Sequence, residues 1–193
     1  MTTFRAFLVE KNEDRTFTRS VVDRELDDLP AGELLIDVKF SSLNYKDALS
    51  ATGNPGVTRS YPHTPGIDAA GTILESTVAN FTAGDEVVVI GFDLGMNTSG
   101  GFGERVRVPA AWAVPLPQGL SLEEAMILGT AGFTAALSIH KLERAGMSPE
   151  GGPILVSGAT GGVGSVAIKL LDQLGYEPHA VTGKEDQHEF LKS

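Results

Sequence analysis

The run Ser157-Gly158-Ala159-Thr160-Gly161-Gly162-Val163-Gly164 carries the clearest chemistry in the chain. A diphosphate binds well at a helix N-terminus, because unpaired backbone N–H groups and the helix dipole both favour an anion there. Side chains would block the approach, so glycine is needed where backbone meets phosphate. Aligned to the usual Gly-x-Gly-x-x-Gly spacing, the run gives Ala159-x-Gly161-x-x-Gly164, with alanine in the first place. Such a loop alone is a weak match. Here it lies between an apolar stretch, Pro153 to Ser157, and a helical apolar pattern, which is the context a dinucleotide site requires. Thr160, Gly161, Gly162 and Val163 are therefore the candidate diphosphate-binding residues. A glycine-rich connection in some other α/β domain is the bland alternative.

The choice between dinucleotides is read at the end of the next strand. A site for NAD wants Asp or Glu roughly 20 residues past the loop to hold the ribose hydroxyls. This chain offers Val181-Thr182-Gly183-Lys184, with no carboxylate at the tip and a cation for a 2′-phosphate. Thr182, Gly183 and Lys184 are thus cofactor-binding candidates, and the expected cofactor is NADPH. The competing view is a solvated Lys184 beside a helix start, with Glu185 and Asp186 as neighbours.

These residues need elements to position them. Val163, Val166, Ala167, Leu170, Leu171 and Leu174 follow helical spacing, and Gly175 supplies a stop. With strands expected over Pro153 to Ser157 and Pro178 to Thr182, the pattern is strand–helix–strand, the unit of a parallel sheet. Upstream, Ser121 to Glu124 has the form of a capping box opening a long apolar helix to about Arg144. The first two-thirds instead alternates in short runs with turn residues between them. Strands are expected over Phe4 to Glu10, Glu33 to Phe40, Asp68 to Ser76, Glu86 to Phe92, Glu104 to Pro109 and Trp112 to Pro115. Leu34, Ile36, Val38 and Phe40 would share one face. A short helix is expected from an Asn44 cap to just before Gly53. Short strands at this spacing point to a small barrel or sandwich. The boundary is placed at 120/121. A nucleotide-binding sheet typically has about six strands, and only two are visible, so the chain is expected to stop partway through that domain. Its last expected element is Glu185 to Ser193.

Composition narrows the rest. A hydrophobic fraction of 41% with 21% charged residues is that of a globular chain and excludes a disordered one. No cysteine is present, which excludes disulfides and thiolate metal sites and fits a reducing compartment. A net charge of -10 argues against non-specific nucleic-acid binding. No apolar run is expected to approach the ~20 residues of a membrane span, and the start lacks a secretory pattern. The expected compartment is the cytoplasm, with neither nucleic acid nor membrane as partner.

With both halves in view, the chain resembles the medium-chain dehydrogenase/reductase superfamily, and within it the zinc-free, quinone-oxidoreductase-like branch that includes acrylyl-CoA reductases. Asn44-Tyr45-Lys46-Asp47, Pro65-Gly66-Ile67-Asp68-Ala69-Ala70-Gly71, Gly84-Asp85-Glu86-Val87, Gly129-Thr130-Ala131-Gly132-Phe133-Thr134-Ala135 and the glycine loop carry that resemblance in order. It implies a fold of α/β plus β class: a GroES-like β-barrel catalytic domain at 1–120, then an incomplete Rossmann domain, a doubly wound parallel sheet, at 121–193. Zinc alcohol dehydrogenases share the architecture, but their metal needs a cysteine where Asn44 stands and a histidine where Ile67 stands. His63 alone is no site and is expected to cap a turn or lie exposed, so no metal is expected. The resemblance implies hydride transfer to an activated double bond of a small enoyl-CoA, or alternatively of a quinone, by an enzyme that pairs with a second copy. It puts Tyr45 against the nicotinamide end of the cofactor, as a cofactor contact and candidate catalytic hydrogen-bond donor; a Tyr packed in the barrel is the alternative. Tyr61 is a second candidate proton donor. Asn44 and Asp47 are expected to hold the local turn. Thr130 and Thr134 are candidate cofactor contacts, although helix packing explains Gly129 to Ala135 equally well. Arg59 and Lys46 are the cations nearest the expected cleft. A non-catalytic NADPH-binding protein of the same fold is the reading from another class.

Overall fold

A hairpin opens the chain. In the computed structural model, which describes residues 3–189 and 191, β1 (Thr3–Lys11) pairs antiparallel with β2 (Phe17–Glu25) along its whole length. Alternation announces β1, and Phe4 and Ala6 are buried on one face; further along the parity switches and Val9 is buried instead of Leu8. Nothing announces β2. Most of its side chains are exposed, Val21 by 68%, so it is held by the backbone ladder and carries no apolar face for a sequence pattern to detect.

β3 (Leu34–Phe40), β4 (Asp68–Ser76), β5 (Glu86–Ile90), β6 (Arg105–Val108) and β7 (Ala113–Pro115) form one antiparallel sheet in the order β6-β3-β4-β5-β7. β1 extends it through the segment leading into β6. The Phe7 N–H donates to the Phe102 carbonyl at 2.8 Å and the Glu104 N–H to the Arg5 carbonyl at 2.9 Å. Leu34, Ile36, Ile73, Val87, Val89, Val106 and Val108 fill the core of this unit. β3 departs from its expected single apolar face. Leu35 is buried too, against Phe4, Ala6 and Leu29, while Phe40 at the far end is 40% exposed. The strand is covered on both faces where the hairpin crosses it and emerges from cover at its end.

Two helices touch this unit. α1 (Tyr45–Ala51) starts at the expected Asn44 cap. α2 (Leu122–Arg144) starts with the expected capping box, in which the Ser121 N–H and hydroxyl both donate to Glu124 Oε2 at 2.8 Å. Its helical geometry breaks at Gly129 (φ 48°, ψ -155°). The chain accordingly clusters into two compact units, Met1–Thr130 and Ala131–Ser193. That division falls later than 120/121 because Leu122, Ala125 and Met126 pack with Ala70 and Val88 of the sheet. α2 is also the one described helix long and apolar enough, by length and composition, to cross a membrane, with a hydropathy of 1.2. That corrects the expectation that no segment approaches such a length. The break at Gly129 and the buried contacts of both halves are also those of a packed helix.

In the second unit β8 (Ile154–Ser157) and β9 (Pro178–Val181) pair in parallel, Ile154 opposite Pro178 through Ser157 opposite Val181. They are joined by α3 (Gly162–Gln173). Ile139 of α2, Leu170 and Leu171 of α3, Tyr176, Ile154 and Val156 pack together on one sheet face. The other face is bare: Leu155 is 73% and Val181 48% exposed. Parallel sheets normally bury both faces, so two strands leave apolar surface uncovered. A short 3₁₀ turn at Glu185–Gln187 follows β9; positions 190, 192 and 193 of the expected last element, like positions 1 and 2, lie outside the described residues.

One position tests the sheet. A Cβ on Gly71 would sit 2.1 Å from the Asp37 carbonyl oxygen, beside the register shift between Val38 and Phe40. Gly71→Ala is expected to cost about 1–3 kcal/mol by forcing backbone apart in a packed core. Urea unfolding checks it, and an unchanged midpoint would count against the close crossing.

Candidate active site

The glycine run folds as expected of a phosphate-binding turn. β8 ends at Ser157, and Gly158 takes φ 64°, a value open to glycine at little cost. Ala159 is fully buried and its N–H donates to the Val181 carbonyl at 3.2 Å, tying the turn to β9. Gly161 caps α3. Its own N–H is taken by the Gly158 carbonyl at 2.9 Å. The following amides of Gly162, Val163 and Gly164 open the helix and have no intrahelical acceptor. Gly164 is required for packing: a Cβ there would lie 2.3 Å from the Gly158 carbonyl oxygen. Gly161, Gly162 and Val163 are exposed and Thr160 half-buried, so among the described residues of its unit nothing closes the turn.

Thr182 Oγ1 accepts the Lys184 N–H at 3.1 Å and shapes the tip after β9. Gly183 and Lys184 are exposed, and among the described residues the Lys184 ammonium forms no ion pair. The adjacent Asp186 is engaged by the Gln187 amide at 3.0 Å. A bare turn of amides and a free ammonium past the second strand fit a dinucleotide with an extra phosphate.

In the first unit, Tyr45 is the first residue of α1 and its side chain is 80% exposed. It is not a packed barrel tyrosine. Tyr61 differs, as its hydroxyl donates to the Ser50 carbonyl at 2.7 Å and its ring meets Phe17 and His63 edge-on. His63 is buried, 5% exposed, with Nε2 at 2.9 Å from the Gly95 carbonyl, and burial pushes its pKa down. Lys46 and Arg59 are exposed. Ile67 is 3% exposed. Among the described residues no group of three or more His, Asp or Glu side chains is placed to hold a metal ion, and the Asn44 side chain is fully used elsewhere.

What uses it is a polar cluster around Asp68, which the sequence carries inside a motif without marking a role for it. Asp68 is 0% exposed at the start of β4. Its Oδ2 accepts from the Ser42 hydroxyl, from Asn44 Nδ2 at 3.0 Å and from the Thr130 N–H at 2.8 Å; its Oδ1 accepts the Thr130 hydroxyl at 2.5 Å. Asn44 Nδ2 also donates to Ser42 Oγ at 2.9 Å. The neighbouring Asp47, 2% exposed, accepts the Asn44 N–H at 2.8 Å and the Ile67 N–H at 2.9 Å. Asn44 and Asp47 therefore hold the local turn, as their types suggest. Sequence reasoning assigns nothing to Asp68, Ser42 or the Gly129 break; an acid opening the apolar run Asp68-Ala69-Ala70 is the available hint, since a charge there is costly without partners.

A GroES-like unit followed by a Rossmann-type βαβ unit is the domain order of the medium-chain dehydrogenase/reductase superfamily, to which the chain is similar. Residues 30–118 match the alcohol dehydrogenase GroES-like domain. The chain is 46% identical to acrylyl-CoA reductase AcuI of Ruegeria pomeroyi over 98% of its own length. It superposes with a TM-score of 0.94 on the yhdH oxidoreductase of Salmonella enterica, solved in complex with NADP (48% identity, 97% of this chain). The yhfP protein of Bacillus subtilis, solved with NAD bound, gives 0.94 as well (47% identity, 100% of this chain). The chain spans 58% of the length of each.

Burial pushes the Asp47 carboxyl above its usual value and the nearby Asp68 charge adds to this, against the pull of the two N–H donors. The folded chain thus holds a proton that the unfolded chain has already released. Between the ordinary value of 3.8 and the raised folded one, this group's contribution to stability falls as pH rises. Asp47→Asn removes the titration but spoils an acceptor. The variant should be less stable by about 1–3 kcal/mol, and its deficit should narrow as pH rises from the ordinary carboxylate value of 3.8 towards neutrality. Denaturant melts across that range check the sign; a widening deficit would reverse it.

Proposed function

We propose that the chain belongs to an NADPH-dependent oxidoreductase that reduces the activated C=C bond of a small enoyl thioester such as acrylyl-CoA. Residues 1–120 serve as its catalytic domain, with Leu122, Ala125 and Met126 packed on the same sheet, and the rest of 121–193 as the nucleotide-binding portion. The open turn at Thr160 to Val163, presenting the first amides of α3, carries this assignment. It is supported by the likeness to AcuI and to an oxidoreductase solved with NADP. In the same proposal Lys184 meets the 2′-phosphate, Thr182 and Gly183 line the ribose, and the enzyme is cytoplasmic and works with a second copy of itself.

NADPH, when bound, supplies a hydride to the β-carbon of the unsaturated thioester, leaving charge on the carbonyl oxygen that a proton at the α-carbon then discharges. The chain's residues do the remainder. Bare amides and Lys184 hold the phosphates, which fixes the reacting end at a set distance from the turn. Tyr45, exposed at the start of α1, offers a phenol that can donate to the developing negative charge. The Asn44 cap and the Asp47 acceptor fix the backbone that carries it.

NADPH oxidation by the intact protein should be faster with acrylyl-CoA than with a simple quinone; the opposite ranking would move the enzyme to quinone reduction. Tyr45→Phe should keep NADPH binding and lose on the order of 100-fold in turnover, the size of one oxyanion donor. Full turnover would remove Tyr45 from this role. Lys184→Ala should weaken NADPH binding about 10-fold or more while leaving NADH nearly unchanged, in line with a charge-assisted bond. Equal losses measured by nucleotide fluorescence titration would defeat the 2′-phosphate assignment.

A further inference from the structure

Asp68 is where three separate chain segments meet, and each of its bonds fixes a backbone that matters to the proposed site. Through Asn44 and Ser42 it holds the turn that starts α1 and so presents Tyr45. Through two bonds to Thr130 it holds the residue that restarts helical geometry after the break in α2. The break is built around the carboxylate. Gly129 sits at φ 48°, where a side chain is strained, and a Cβ there would lie 2.8 Å from Asp68 Oδ2 and 3.0 Å from Ser42 Oγ. The α2 segment beginning at Thr130 therefore has a remote N-cap: a carboxylate delivered from β4 in place of a local side chain.

We infer that Asp68 is a positioning residue for the reductase, a buried clamp that fixes the Tyr45 turn to the break in α2 without touching substrate. All four of its described bonds go to protein donors, and it is fully buried. Its effect on chemistry passes through the placement of Tyr45 and of the Gly129-Thr130 backbone. The inference rests on the reductase assignment above and adds a residue that the glycine loop and Lys184 do not involve.

Two variants in the intact protein test it. Asp68→Asn puts an NH₂ among donors and removes the charge; Ser42→Ala deletes one donor and leaves the carboxylate, so it keeps the fold if the first does not. With concentration scaled to the NADPH-binding fraction, Asp68→Asn should lower kcat on the order of 10- to 100-fold, since about 1 Å of misplacement costs that much. KM for NADPH should stay within about twofold, as the nucleotide's anchors are elsewhere. Ser42→Ala should lower kcat by a smaller factor, and Ser42→Thr, which restores the hydroxyl, should recover it. A purely structural role would lower the melting temperature and leave kcat per competent molecule unchanged, and that outcome overturns the inference. The Thr130 amide gives a readout independent of activity: its proton resonance should lie downfield and move upfield in Asp68→Asn. No movement would overturn the clamp itself. Wild-type protein that oxidises NADPH with neither acrylyl-CoA nor a quinone would sink the reductase assignment instead, while the Thr130 resonance would still report on the clamp.

Discussion

A carboxylate taken wholly out of water is the constraint around which the first unit is arranged. Moving such a group into a protein interior costs several kcal/mol even after relaxation, and no cation among the described residues pairs with Asp68. The cost is offset by hydrogen bonds to a charged acceptor, each worth more than a neutral pair. Two hydroxyls, one amide and one backbone N–H converge on it. They come from the α1 turn and from the middle of α2, so satisfying the charge also fixes those two segments against β4. Asp47 lies close by with its own pair of N–H donors. Burial and the neighbouring charge both disfavour its ionised form. Two acids this close in low dielectric are tolerable only because every donor is already aimed.

The same helix physics is used in two opposite ways along the chain. At Thr130 the amide that opens a helical segment meets an internal anion, and that end is closed. At Gly162 to Gly164 the amides that open α3 meet no protein acceptor among the described residues, and the two glycines carry no side chain there. A helix end buried without partners would be unstable, but one left open at the surface is a place for an external anion. The difference between a structural cap and a ligand site is therefore visible in where the anion comes from. Net charge does not decide it. The chain carries -10 overall, yet exposed charges are screened beyond about 8 Å, so on the proposed reading the local amides and Lys184 outweigh it.

Much of this is legible in the order of residues alone. The βαβ unit, its glycine turn and the tip at Lys184 are legible because their chemistry is local: each needs particular residue types within a few positions of one another. The α1 cap at Asn44 and the α2 box at Ser121 are legible for the same reason. β2 is not, because an edge strand with exposed side chains is specified by its partner's backbone. The break at Gly129 is hidden inside an apolar stretch that also reads as one continuous helix. Asp68 is hidden most thoroughly: its four donors come from positions 42, 44 and 130, and no short window contains them.

That distribution has a physical basis. A ligand site exposes groups to something outside the chain, so its residues must be arranged by local geometry and remain visible as a motif. An internal clamp is satisfied by the chain itself, and its partners can come from any distance once the fold brings them together. Gly129 shows the two demands at one residue. Its conformation is locally improbable for any side chain, and its space is filled by oxygens of Asp68 and Ser42. The sequence records only a glycine, while the reason for it lies far upstream in Asp68. Motif recognition thus picks out local geometry and underestimates the long-range contacts that hold a segment in register.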